Sequence, residues 1–335
     1  MKTKISIQGT DFYINDRITY RGRIHHGRRI EGLLLNSRMV QAIFDDENPE
    51  TQSHWQYPDT QKWDPDRNTN EFCAALPIYQ GFGLMAVTIG LQGGGPIYHP
   101  DIYENYRNSA FEWDGSLKSA YFQRLKRILS TADDLGLVVI VNYFYWQQNR
   151  HFRDDKAIKN ATRLATEWIL ENGFRNVIVD INNEITKGDH ILQSEGIHQL
   201  VDIVQNTRLD NIRLLVSTSV HPHNHFPGGI WPKMVDFFLP HGNDSPPNKL
   251  RSELRQLKSW DFYSANPRPI LINEDSVDIR NLDVAVEEGA SWGYYSQGYG
   301  SNYKDKKWDW TTQPRECSYE HLSGYQTPPI NWGIN

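Results

Sequence analysis

The chain of 335 residues predicts an α/β fold, a (β/α)8 TIM barrel. Short apolar runs rich in β-branched residues recur along it, separated by stretches with helical periodicity. Their alternation implies parallel pairing, and eight repeats favour closure over an open sheet. No G-x-G-x-x-G follows the first strand, which counts against a doubly wound dinucleotide fold.

The elements follow in order. Apolar residues alternate around Asn15-Asp16, so residues 1–30 predict an N-terminal β-hairpin closing the barrel bottom. Gly32 to Asn36 is the first barrel strand. The segment after it, with His54, Trp55, Tyr57, Trp63 and Asp64, is too long for an ordinary βα connection. Asn68 to Gly81 reads as a helix, with Phe72, Ala75, Leu76 and Tyr79 in register. Leu84 to Ile89 is the second strand and opens into another long loop through Gly90-Leu-Gln-Gly-Gly-Gly95, Tyr98, His99, Tyr103, Tyr106, Phe111 and Trp113. The glycine run matches no phosphate-binding pattern and reads as a turn that lets backbone approach a ligand.

Ser116 to Leu135 is a helix stopped by Gly136, and Leu137 to Val141 is the third strand, continuing into Asn142-Tyr-Phe-Tyr-Trp146. Asp155 to Asn172 is helical. Asn176 to Ile181 is the fourth strand, interrupted only by Asp180, which reads as the anchor of a barrel layer. A helix at 190–207 precedes the fifth strand, Arg213 to Val216. Val235 to Leu239 is the sixth and Ile270 to Ile272 the seventh, with helical stretches at 250–263 and 279–288; Ala290 to Tyr295 is the eighth. The whole of 1–335 is expected to be one barrel domain, with 301–335 as a C-terminal extension.

Composition narrows the partners. A net charge of −6 offers no basic excess to neutralise phosphates, so neither nucleic acid nor an anionic membrane is expected. Cys73 and Cys317 form neither a C-x-x-C pair nor a disulfide framework. No apolar run approaches the roughly 18 residues of a membrane span. The first residues lack a hydrophobic signal region, so the chain as given is expected in the cytoplasm, or outside the cell if a leader has been removed. No cofactor is expected. The 11 Trp and 17 Tyr stand largely in loops, where their faces suit the C–H faces of sugar rings.

The fourth and seventh strands end alike. Asn183-Glu184 closes one and Asn273-Glu274 the other, 274 − 184 = 90 positions apart. Two carboxylates at the same ends of two parallel strands form the arrangement that cleaves glycosidic bonds. On these residues the chain resembles the retaining glycoside hydrolases of clan A, which include the family-five cellulases and mannanases. The resemblance covers roughly residues 30 to 300. It implies Glu184 as acid/base, Glu274 as nucleophile, Asn183 as donor to the sugar 2-hydroxyl and Trp292, on the eighth strand, as the floor of a sugar subsite. Asn36, Asn142, Trp146, His221 and His241, at or after strand ends, are further candidates for contact with an oligosaccharide, polysaccharide or glycoside. Two departures stand out: Thr88-Ile89-Gly90 lacks the Arg that many relatives carry after the second strand, and no Tyr is evident after the sixth, where His241 or a neighbour would substitute. Two other readings remain. One is a carbohydrate-binding barrel without catalysis. The other is a metal-dependent hydrolase using His221, His223 and His225, which the lack of an evident paired carboxylate disfavours, so no metal is expected.

Overall fold

The computed structural model describes residues 1–295 apart from 58, 96–103, 186–189, 222–227, 244 and 277. The expected C-terminal extension, Cys317, His223, His225, Tyr98, His99 and Tyr103 therefore lie outside the described residues.

A parallel sheet forms the centre. The first barrel strand, Asn36–Arg38, is flanked by Ala86–Gly90 on one side and Gly293–Tyr294 on the other. Val138–Tyr145, Val177–Asn183 and Leu215–Ser217 continue the sheet in sequence order. The fifth strand resumes at Ser219–Val220, which pairs in parallel with Leu239–Pro240. Single parallel bridges, Phe238 to Ile270 and Leu271 to Ser291, carry the pairing on through the seventh position to the eighth. The eight segments thus follow one another around the ring of a TIM barrel.

The third and fourth strands run further than their apolar cores, to Tyr145 and Asn183, because their polar ends still pair: Phe144 with Asn182 and Tyr145 with Asn183. The first strand, by contrast, begins only at Asn36, where 32–36 was expected. The helices lie outside the sheet. Pro65–Gly81 starts three residues before its expected start because Asp64 caps it and Pro65 takes the position that needs no N–H. Ser119–Leu135 starts three residues late because Leu117 first bridges Phe111. Asp155–Glu171 is capped by Asp154, whose carboxylate accepts from the Ala157 N–H at 2.9 Å. The stretch at 190–207 divides into a short 3-10 turn, His190–Leu192, and the helix His198–Asn206. Pro247–Ser259 and Arg280–Glu287 flank the seventh position. No helix among the described residues is long and apolar enough to cross a membrane.

The N-terminal residues form a three-stranded meander, Ile5–Gln8, Asp11–Ile14 and Arg17–Ile18, whose second turn uses Asn15 and Asp16 at φ 52° and 59°. Ile5 and Phe12 join the inward-facing cluster of Leu34, Ala86, Val138, Ile140, Ile178, Phe237, Leu239 and Leu271. Phe12 is fully buried and meets Phe237 edge to face at 6.2 Å.

At the opposite end, the two long loops are tied to one side chain. The buried carboxylate of Asp46 accepts from Thr51 Oγ1 at 2.5 Å, Trp55 Nε1 at 2.7 Å and the Arg107 N–H at 2.8 Å. Above it Phe44, Trp55 and Tyr106 form a separate aromatic cluster, with Trp63, Tyr145 and Trp146 against its rim. The glycine run fits between these rings. A Cβ on Gly93 would lie 2.6 Å from the Tyr145 ring, and one on Gly95 2.4 Å from that of Tyr106. The run therefore admits aromatic side chains where a ligand was expected.

Truncation of the barrel plug is measurable: Phe12→Ala is expected to lower unfolding free energy by roughly 3–5 kcal/mol in urea. A loss below about 1 kcal/mol would mean that the meander is not part of the barrel core.

Candidate active site

Glu184 and Glu274 meet at the carboxyl ends of the fourth and seventh strands. One oxygen of each and a ring nitrogen of His241 lie within 4.8 Å of one another. Both glutamates are largely buried, at 7% and 5% exposure. Glu184 leaves its strand in a left-handed conformation, φ 62°, which a side chain rarely adopts. Its N–H is held by Ser219 Oγ at 3.1 Å, and the next N–H, of Ile185, by the Ser219 carbonyl. Backbone strain of order 1 kcal/mol is thus fixed by the fifth strand, and it aims the carboxylate inward.

Two basic side chains answer the two carboxylates. Arg38, from the first strand, brings Nε to 2.7 Å from Glu274 Oε2. The approach is too poorly aligned for a hydrogen bond, so it is a charge contact. The same guanidinium donates from Nη2 to Asn183 Oδ1 at 2.5 Å, which fixes the Asn183 amide with its NH2 as the remaining donor. His241, immediately past the sixth strand, sets Nδ1 3.1 Å from Glu184 Oε1 and 3.5 Å from Glu274 Oε2. Burial works to lower the His241 pKa, but the charges of Glu274 and Glu184 and the hydrogen bond to Glu184 outweigh it and raise the value. Asn243, on the same loop, donates from Nδ2 to Glu274 Oε1 at 2.5 Å.

Arg38 and Asn243 are the residues the sequence reading missed. The arginine sought after the second strand comes from the first. The loop after the sixth strand, without its Tyr, presents His241 and Asn243 instead. A signal for Arg38 existed: it shares the inward parity of Asn36, two residues earlier, at the carboxyl end of a barrel strand.

Other predicted contacts fall elsewhere. Asn36 is fully buried, and its Nδ2 is directed at the carbonyls of Leu34, Ile272 and Trp292 at 3.0–3.3 Å. It ties the first, seventh and eighth segments together and presents nothing to a ligand. Trp292 is also fully buried, and its Nε1 donates to Asp275 Oδ2 at 2.6 Å. A floor for a sugar needs an open ring face, so Trp292 is part of the frame. Asn142 is 1% exposed and reaches the Asp180 carbonyl at 3.4 Å. Trp146 is half-buried on the aromatic rim, and His221 is half-buried after the fifth strand.

Two buried aspartates brace the glutamates from below and behind. Asp180 Oδ1 accepts from the Ser219 N–H at 2.8 Å, and Oδ2 lies 3.4 Å from Asn273 Nδ2, linking the fourth, fifth and seventh segments across the barrel. Burial pushes its pKa up to about 6, with His241 and Arg38 pulling back. Asp275 accepts from Trp292 and from Asn281 Nδ2. Burial raises its pKa to about 7 against those hydrogen bonds.

Among the described residues two groups gather three metal-ligating side chains: Glu184, His241 and Glu274, and, away from them in sequence, His25, His26 and Asp283. In the first, the Arg38 charge already sits on Glu274 Oε2 and would repel an ion there.

No protein-family model and no curated protein sequence matches the chain. Solved structures do. A family 5 glycoside hydrolase from Prevotella bryantii aligns at TM-score 0.51 and 13% identity over 87% of this chain and 95% of its own. A broad-specificity family 5 endoglucanase from Clostridium longisporum gives 0.53 and 10%, with the same coverage. A putative glycoside hydrolase from Bacteroides vulgatus gives 0.58 and 13% over 96% of this chain and 60% of its own. The chain shares their barrel fold. At these identities the likeness speaks for the fold, so the reading of the site rests on its geometry.

The pKa of Asp275 gives a pH test. A carboxyl whose folded pKa stands above its unfolded one stabilises the fold while protonated. That contribution is complete below about pH 4, the unfolded value, and is lost as pH rises through about 7. Raising pH from 5 to 8 is therefore expected to lower the melting temperature of the wild type more than that of Asp275→Asn, by scanning calorimetry. Parallel curves would show that Asp275 is charged throughout this range.

Proposed function

We propose that this protein is a glycoside hydrolase that cleaves its substrate with retention through a double displacement. The observation that carries the reading is the convergence of Glu184 and Glu274 to within 4.8 Å, with the Arg38 guanidinium on Glu274. Retaining enzymes hold their carboxyl groups about 5–5.5 Å apart, whereas inverting ones need about 6.5–9.5 Å to admit a water.

The roles follow from the surroundings. Glu274 receives Arg38 and Asn243 and is the nucleophile that attacks the anomeric carbon. Glu184 has the His241 imidazole as partner and gives a proton to the departing oxygen. It then takes a proton from water as that water displaces Glu274 from the glycosyl-enzyme. The Asn183 NH2, oriented by Arg38, is the donor to the 2-hydroxyl, where hydrogen bonds strengthen in the transition state. Trp146 and Tyr145 on the aromatic rim, with His221, are the contacts proposed for a sugar chain. The substrate class is an oligosaccharide, polysaccharide or simpler glycoside. We read the described residues as one catalytic barrel.

Screening aryl glycosides identifies the sugar, and variants then separate the roles. Glu274→Gln is expected to reduce turnover at least 1,000-fold with an unchanged melting temperature. Glu184→Ala is expected to retain the first step on aryl glycosides with good leaving groups, and azide is expected to rescue its second step. Near-wild-type turnover by Glu274→Gln would end this assignment and leave sugar binding without these catalytic roles.

A further inference from the structure

A second cluster lies on the outer surface. The strands Ile24–His25 and Arg28–Arg29 form a hairpin joined by His26 and Gly27. Both turn residues have positive φ, 46° and 77°, as a two-residue hairpin turn of this kind requires. Asn, Asp or Gly usually fills the first position, yet here it is a histidine. Neighbouring residues of a regular strand point to opposite faces. The left-handed turn instead folds the His26 ring back over that of His25, with centroids 4.1 Å apart and planes 24° from parallel. His25 Nε2 and His26 Nδ1 each stand 2.9 Å from the same oxygen, Oδ1 of Asp283 on helix Arg280–Glu287. The His25 side chain is buried, while that of His26 is 74% exposed. His25 Nδ1 has no partner among the described residues.

We propose that His25, His26 and Asp283 bind a divalent first-row transition ion, with zinc as the best-suited occupant. Two imidazole nitrogens and a carboxylate oxygen make a borderline donor set that suits this class. The spacing also fits. Two ligand atoms 2.9 Å apart, each about 2.1 Å from one ion, subtend an angle of about 90° at it. Only a small outward shift is needed to admit the metal. Binding needs the lone pair of the nitrogen that faces the ion, so the N–H that bridges each neutral ring to Asp283 shifts to that ring's other nitrogen. Water completes the coordination on the open His26 side.

The site would act as a clip. It joins the hairpin before the first barrel strand to the helix between the seventh and eighth, across 257 positions of sequence. A link across so long a loop restricts the unfolded chain more than a local one does. The ion pair Arg28 to Glu287, at 2.7 Å, already tethers the same two elements.

The test uses the full chain without a histidine tag, stripped with a chelator and titrated with Co2+ by calorimetry and visible absorption. Wild type and Glu274→Gln are expected to bind one equivalent with the absorption of a nitrogen- and oxygen-ligated ion. His26→Ala, which removes a side chain that is 74% exposed, is expected to bind at least 100-fold more weakly, and Asp283→Asn likewise. Zn2+ is expected to raise the melting temperature of wild type and not of His26→Ala. Absence of Co2+ binding by wild type would overturn the proposal, as would equal binding by His26→Ala. Either result would leave two imidazoles that simply hydrogen-bond one carboxylate.

Discussion

Two carboxylates in one buried space repel each other, and the upper half of this molecule is arranged to make that tolerable. Two full charges within 4.8 Å of each other cost at least about 3–4 kcal/mol at an effective dielectric constant of about 20. Arg38 supplies an opposing charge from the first segment, and His241, from the end of the sixth, sets a ring nitrogen against both carboxylates. Their unequal placement makes the two glutamates chemically different. Glu274 touches a permanent cation, an amide donor and the edge of the imidazole; Glu184 touches the imidazole and stands on a strained backbone. Division of labour between two identical side chains begins with this asymmetry.

The barrel makes such a constellation rigid. Asp180 and Asn36 stitch non-adjacent segments together from inside, and Asp275 joins Trp292 and Asn281 beside Glu274. A cavity that Phe12 and Ile5 fill from below leaves one open end. Around that end, Asp46 holds the two long loops to each other, so the aromatic rim is built on a polar anchor and not on apolar packing alone.

What the sequence disclosed divides along physical lines. The strands that hold Glu184 and Glu274 were legible because a continuous apolar run ending in Asn-Glu is a local pattern, and it occurs twice. Arg38 was not, since the first strand is only three residues long and wholly polar, and its one local mark is the parity it shares with Asn36. The pairing of Arg38 with residues 183 and 274 is a product of closure around the ring. Trp292 misled for the opposite reason: a tryptophan at a strand end looks the same in sequence whether its face is open or its N–H is buried on an aspartate. Asn36 and Asn142 show the same ambiguity, because a buried amide bonded to backbone carbonyls and a ligand-facing one share the same letter. The glycine run was recognised as a place of close approach, but the approaching groups are Tyr145 and Tyr106.

As the proposed nucleophile, Glu274 becomes covalently bonded to the sugar. An aryl glycoside of the preferred sugar with fluorine at C2 forms such an adduct and releases it slowly, so it can be weighed. Intact-mass spectrometry should show one added glycosyl unit, and peptide mapping should place it on Glu274. Turnover without any adduct and with inverted product, or an adduct on a different side chain, would contradict the account.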